Sequence, residues 1–377
     1  VKVLSVVGAR PQFVKLAPIA WQLARRGHEH LIVHTGQHYD HLLSQSFFDE
    51  LSLPPPDVNL EAGSGGQAEQ TSRILAALDP VLARERPDWV LTYGDTNSTL
   101  AGTLAAAARE LPIAHLEAGL RSFDRTMPEE RNRIVADHLA ALLLAPTTVA
   151  MDNLAAEGLT TRSLLVGDLM VDTLRVISDQ WAAPGGERPS PSFTGHRGRY
   201  LLATIHRQAT TDDPDRLGAV VAALAACPKH VRLLVHPRLA ARARQFGIAL
   251  SGGSLRASDP LPYRSMIAAL AGADGLITDS GGLQKEALVL GVPCSTLRAE
   301  TEWPETLQGG WNVLVTDPGE LPTAVARPRP AGEPPTPFGD GEAAVRIIDV
   351  LASRAHDAPH AQYTIGCGRA AAAEVRT

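Results

Sequence analysis

Cysteine is scarce. Cys227, Cys294 and Cys367 are the only three among 377 residues, odd in number, far apart and without a C-x-x-C pair. That argues against both a disulfide framework and a zinc site and fits a reducing compartment. Nowhere are there the roughly 18 consecutive apolar residues of a spanning helix, which excludes a membrane-crossing segment. A basic surplus is missing too: 35 Lys and Arg stand against 41 Asp and Glu, a net charge of −6. Without a field to neutralise phosphates, nucleic acid is not an expected partner. Aromatic residues stop at 5%, leaving little for base stacking. The first residues, Val1–Val7, are already strand-like. No charged n-region, apolar h-region and cleavage site precede them, so a cytoplasmic location is expected.

What is present is alternation. Strand-like and helix-like runs follow each other: Val3–Val7 then Phe13–Arg26, Leu31–His34 then His41–Leu51, Trp89–Tyr93 then Ser98–Glu110, Ile113–Leu116 then Glu130–Leu144. The pattern restarts with Leu201–Ile205 and Asp215–Cys227, Val231–Val235 and Ala240–Phe246, Gly275–Thr278 and Leu283–Leu290, and Pro293–Leu297 before a strand Val313–Val315. This predicts an α/β protein of two Rossmann-like, doubly wound parallel-sheet domains facing a cleft. The expected boundaries are 1–168 and 169–340, with a Pro- and Gly-rich surface connection over 182–199. A last helix, 341–355, is expected to cross back to the first domain, and 356–377 to be a loose tail.

In such sheets ligands bind at the carboxyl ends of the strands, so polar residues just after the strand runs are the informative ones. Gly8-Ala9-Arg10-Pro11 follows the first strand, placing Arg10, with Lys15 about a turn later, to meet an anion. Ser280-Gly281-Gly282 opens the helix after Gly275–Thr278, where exposed amides and the helix dipole favour a phosphate. Glu286, a turn further on, is placed to accept ribose hydroxyls. Asp95, Glu117 and Glu129 sit at equivalent depth in the first domain, where clustered carboxylates become suited to proton transfer near neutral pH. Asp95 has a rival role as a helix cap, and Glu129 as a first-turn carboxylate complementing the helix dipole. His206 ends the first strand of the second domain and is aimed into the cleft from the other side, as a phosphate donor or a proton carrier. His28, His30, His34, His38 and His41 span a helix end, a strand and a loop, so no metal site is expected.

Taken in order, several segments resemble the UDP-N-acetylglucosamine 2-epimerases, a family whose fold is like that of GT-B glycosyltransferases. They are Gly8-Ala9-Arg10-Pro11-Gln12-Phe13-Val14-Lys15, Thr35-Gly36-Gln37-His38, Gly94-Asp95-Thr96-Asn97-Ser98-Thr99, His115-Leu116-Glu117-Ala118-Gly119-Leu120-Arg121, Pro128-Glu129-Glu130-Arg131-Asn132-Arg133, Thr278–Glu286 and Glu300–Glu305. The likeness runs from Val3 to about Leu351. It implies proton transfers by Asp95, Glu117 and Glu129, with which carboxylate abstracts and which protonates left open, and it adds His206 to the site. It also implies UDP held by Arg10, Lys15, His206 and the Ser280, Gly281 and Gly282 amides, ribose by Glu286, and the base beside Leu261 and Met266. Arg133 and Arg298 fall among its substrate contacts. A homodimer, a UDP-sugar as the partner, and no cofactor are further implications.

The chain also departs from the family. It reads His206-Arg207-Gln208-Ala209-Thr210 where His-Arg-x-Glu-Asn is common, and Trp303 stands where many bacterial members carry an anion-contacting arginine. The Glu-Thr-Glu-Trp pattern resembles the branch that includes epimerases of UDP-diacetamido-glucuronic acid. The alternatives to a UDP-GlcNAc 2-epimerase are therefore a hydrolysing 2-epimerase, a 2-epimerase of such a modified sugar, a UDP-sugar glycosyltransferase, and a UDP-sugar-binding protein without catalysis.

Overall fold

The computed structural model describes residues 1–37, 48–182 and 200–355. His38, His41, most of the expected helix His41–Leu51, the connection 183–199 and the tail 356–377 lie outside the described residues.

Seven strands, β1 (Lys2–Val7), β2 (Glu29–His34), β3 (Val58–Asn59), β4 (Trp89–Tyr93), β5 (Ile113–Leu116), β6 (Leu142–Ala145) and β7 (Ser163–Leu165), form one parallel sheet in the order β3-β2-β1-β4-β5-β6-β7. Six more, β8 (Leu201–Ile205), β9 (Val231–Val235), β10 (Leu255–Ser258), β11 (Gly275–Thr278), β12 (Cys294–Thr296) and β13 (Asn312–Leu314), form a second in the order β10-β9-β8-β11-β12-β13. The expected pair of doubly wound parallel sheets is present. Each sheet reverses its winding once, between β1 and β4 and between β8 and β11, and ligand crevices of open α/β sheets form at such points.

The strands read as apolar runs because helices cover both faces. In β1, Val3 and Val7 face a layer built by Phe13, Leu16, Ile19 and Leu23 of the helix Arg10–Arg25, while Leu4 and Val6 face Leu78 and Leu82 of the helix Gln67–Glu85. Burying each such side chain stabilises by about 1.5–3 kcal/mol. The expected helix Glu130–Leu144 is corrected: the helix is Pro128–Leu139, and Leu142–Ala145 is β6. A short all-apolar run buried on both faces carries no period that separates strand from helix.

The last helix, Ala343–Ala355, returns to the first sheet as expected. Ile347, Ile348 and Leu351 are fully buried there, and Trp89 Nε1 donates to the Leu351 carbonyl at 3.1 Å. Asp172, on the helix Leu169–Ala182, accepts from the Ala343 and Ala344 amides at 3.1 and 2.7 Å and so caps this helix. The helix Leu169–Ala182 in turn rests on Arg10–Arg25, Thr173 Oγ1 donating to the Val14 carbonyl at 2.7 Å. Among the described residues, no helix is long and apolar enough to cross a membrane.

Candidate active site

At the winding reversal of the first sheet, β4 ends in Gly94-Asp95 and the neighbouring β5 in Glu117. Gly94 has φ +64°, and a Cβ there would lie 2.9 Å from Glu117 Oε2, so the glycine serves both backbone and carboxylate. Glu117 itself is left-handed, with φ +67°, a strained conformation for a residue with a side chain. Lys15 Nζ donates to Glu117 Oε2 in a close ion pair. Burial works to raise the Glu117 carboxyl, but the Lys15 and Lys285 charges prevail and bring it down to about 2.

Arg133, buried on the helix Pro128–Leu139, joins the next groups. It contacts Asp95 Oδ2 closely and donates to Glu130 Oε2 at 2.9 Å, while its buried Nε has no hydrogen-bond partner among the described residues. Glu130 is buried and also accepts from the Ser122 and Phe123 amides, both at 2.9 Å. Its neighbour Glu129 is exposed on the first turn of the helix. Beneath this layer His115 faces Asp137 Oδ1 and the Gly94 carbonyl, both at 2.7 Å, and Arg121 spans Asp137 and Glu157. These buried contacts fix the ends of β4 and β5 relative to each other.

The second domain supplies the opposite wall at its own winding reversal. His206 and Arg207 follow β8, and their amides donate to Asp279, which follows β11, at 3.1 and 2.9 Å. His206 Nδ1 lies 3.2 Å from Asp279 Oδ1, and its ring is 5.6 Å from that of His236. Burial lowers His236 from its ordinary range, and the neighbouring His206 and Arg10 act in the same direction. Ser280 stands at the N-cap of the helix Gly281–Val289 without a side-chain hydrogen bond to it, and a Cβ on Gly282 would meet no atom within 4 Å, so that face of the first turn is open. Glu286 is buried and accepts from Tyr263 Oη at 2.9 Å, and burial pushes it up to about 7. Leu261 and Met266 are half-buried against the apolar cluster of Leu202, Leu270 and Leu276. Arg298 and Arg207 hold Glu302 from either side at 2.5 and 2.9 Å; burial alone would raise Glu302, and the two arginines bring it to about 2.

Two contributors, Lys285 and Asp168, are not singled out by the sequence, and Trp303 stands out there only for taking an arginine's place. Lys285 of the helix Gly281–Val289 reaches into the first domain, its Nζ 2.5 Å from Asp168 and 3.3 Å from Glu117 Oε1. It rests 3.6 Å above the Trp303 ring centroid. Asp168 and the Trp303 ring therefore belong to the site's electrostatics. Beside this wall a cavity of about 170 Å³ opens between the domains, lined by Leu120, Ser122 and Phe123 from one and by Arg298, Thr301 and Glu302 from the other. A larger hollow of about 440 Å³ lies at the amino ends of β8 and β11, lined by Leu201, Gly275 and Arg327, far from these groups. Arg327 there donates to the Cys294 and Ala324 carbonyls, a structural use.

The arrangement brings cations and, through Lys285, the helix Gly281–Val289 to the Asp95 and Glu117 strand ends, a combination able to attract an anion and to exchange a proton. A family profile for UDP-N-acetylglucosamine 2-epimerase matches residues 22–352. The chain is 41% identical over 355 residues to a UDP-N-acetylglucosamine 2-epimerase homolog of Methanococcus maripaludis, covering 93% of this chain and 99% of the relative. It is 40% identical over 361 residues to the UDP-2,3-diacetamido-2,3-dideoxy-D-glucuronate 2-epimerase of Pseudomonas aeruginosa, covering 93% and 99%. Its fold superposes with a TM-score of 0.86 on the crystal structure of Methanocaldococcus jannaschii UDP-GlcNAc 2-epimerase in complex with UDP-GlcNAc and UDP, at 36% identity, covering 94% of this chain and all of that one. With its GT-B-like pair of sheets and this match along nearly its whole length, the chain belongs to the UDP-N-acetylglucosamine 2-epimerase family, the enzymes that act on UDP-sugars of this type.

Proposed function

We propose that the enzyme interconverts UDP-GlcNAc and UDP-ManNAc by anti elimination and re-addition of UDP. A base takes the C2 proton, the C1–O bond breaks with its electron pair passing to the UDP phosphate oxygen, and a 2-acetamidoglucal remains. Reprotonation of C2 on the other face, with UDP returning to C1, gives the epimer. Asp95, Glu117 and Glu129 carry the proton transfers with His206 beside them. Arg10, Lys15 and the amides of Gly281 and Gly282 hold the diphosphate, where charge develops as the bond breaks, while the expected Ser280 amide is already given to Thr278 Oγ1 at 3.0 Å. Glu286 takes the ribose, Leu261 and Met266 the base, and Arg298 adds a substrate contact, while Arg133, expected to be another, is buried and holds Asp95 instead.

The observation that carries this reading is Asp95 and Glu117 at adjacent strand ends, with Lys285 of the helix Gly281–Val289 reaching Glu117 and the first turn of that helix open at Gly282. Incubation of UDP-GlcNAc with the enzyme in D2O tests it by NMR. Deuterium at C2 together with UDP-ManNAc is expected; conversion with protium retained at C2 would overturn it. A UDP-diacetamido-glucuronic acid is the second reading, favoured by Trp303 and by the 40% identity to an epimerase of that sugar. Running both sugars side by side separates the two by kcat/KM.

A further inference from the structure

A lysine is almost never buried without partners. The Lys285 side chain is 3% exposed, and it crosses from the helix Gly281–Val289 to two carboxylates of the first domain, Asp168 and Glu117. Trp303 closes the third side of its ammonium at 3.6 Å, with Phe338 at 5.9 Å. Glu117 thus lies between two cations, Lys15 on Oε2 and Lys285 on Oε1. They are not equivalent. Lys15, 12% exposed, rises from the helix that follows Gly8 and is the one an incoming diphosphate can draw off. Lys285 is pinned by Asp168 and by an aromatic face, and both of these anchors are themselves buried.

The asymmetry matters for a base. Two permanent cations would keep Glu117 a feeble proton acceptor, and none would leave a buried carboxylate protonated. We propose that Lys285 is a positioning residue for Glu117: it fixes Oε1 and keeps the carboxylate ionised after the diphosphate has taken Lys15, so that basicity rises only when substrate is seated. The groups that face Glu117 are Lys15 from the helix Arg10–Arg25, Lys285 from Gly281–Val289 and Arg133 from Pro128–Leu139, with Asp168 and Glu286 acting through Lys285. Arg133 is committed to Asp95 and Glu130, which leaves Lys285 as the directly bonded cation once Lys15 moves.

The role presupposes the 2-epimerase reading above, so two readouts are needed. The first is the pH dependence of kcat/KM for wild type, Lys285→Met, Lys285→Gln and Lys285→Arg. Removing an opposite charge at this range raises a carboxyl by about 1–3 units, so the acid limb is expected to move up by that much in the Met and Gln variants and to return in the Arg variant. The Gln variant keeps a donor without the charge, and it serves if the Met variant does not fold. A drop in kcat with the acid limb unmoved, or Arg behaving as Met does, overturns the role. The second readout is independent of turnover: 13C NMR titration of the Glu117 carboxyl, assigned with Glu117→Gln, with and without UDP. The same upward displacement is expected in the Gln variant, and an unchanged midpoint overturns the role. A wild-type enzyme without C2 exchange would sink the 2-epimerase reading, while this titration still decides for or against Lys285.

Discussion

Gly282→Ala separates folding from binding at the helix Gly281–Val289. Gly282 does not adopt a positive φ, and a Cβ there meets no atom within 4 Å, so the free protein accommodates alanine without strain. Alanine in place of a helical glycine stabilises by roughly 0.5–1 kcal/mol, which raises the melting temperature by about 1–4 °C in domains of this size. Bound UDP is another matter, because the new methyl enters the space through which a diphosphate approaches the amides of the first turn. Losing one hydrogen bond to a charged oxygen costs about 1.5–3 kcal/mol, equivalent to a Kd weakened about 10- to 150-fold. Calorimetric titration with UDP and a thermal melt on the same sample measure both. Gly218→Ala is the control: it sits within the helix Pro214–Ala225, its Cβ also meets nothing within 4 Å, and it should gain stability with UDP binding unchanged. A Gly282→Ala protein that melts like wild type or higher and binds UDP within twofold would refute the placement of the diphosphate.

Glu117→Gln should bind UDP and lose turnover by about 10²-fold or more, the usual worth of a positioned proton carrier, as read from C2 deuterium incorporation. Arg133→Met leaves Glu130 buried without its cation, and breaking such a pair costs about 3–5 kcal/mol; a melting temperature lowered by more than about 6 °C is expected. Glu286 has a folded pKa of about 7, above its ordinary 4.5, so the folded state binds its proton more tightly than the unfolded one. The contribution is favourable below pH 4.5 and declines as pH rises toward 7; Glu286→Gln should flatten that decline in melts across the window. Glu117 and Glu302, both brought to about 2, act in the opposite sense: their contribution is full above about pH 4.5 and is lost as pH falls toward 2. Melts between pH 5 and 2 should therefore show progressive loss, weakened in Glu302→Gln.

The strands were the most legible part of the fold. β4, β5, β8, β9 and β11 have the bounds their apolar runs suggest, because strands buried on both faces are written as unbroken Val, Leu and Ile. The same property misled at Leu142–Ala145, and Pro80 inside the helix Gln67–Glu85 interrupts a pattern that Ile74, Leu78 and Leu82 otherwise spell out. Residues at strand ends were legible because topology alone decides where Gly94, Asp95, Glu117 and His206 emerge. Lys285 was not, since its burial depends on Glu117 and Asp168, 168 and 117 positions away, and no local pattern encodes such a meeting. At Gly8 the demand for glycine is crowding from residues distant in sequence, a Cβ falling 2.0 Å from Thr35 Oγ1 and 2.3 Å from Ser98 Oγ.

The return of the helix Ala343–Ala355 to the first sheet imposes an order on how the protein is made. Phe13, Leu16 and Trp89 emerge early from the ribosome, but Ile347, Ile348 and Leu351, which complete the same apolar layer, are among the last described residues to be synthesised. At ~5–20 residues per second, the nearly 190 residues between Val166 and Ala355 take roughly 10–40 s. For that interval the nascent first domain carries an open hydrophobic seam beside Trp89. A chain stalled in the second domain would be released with the seam uncovered, an apolar surface open to aggregation.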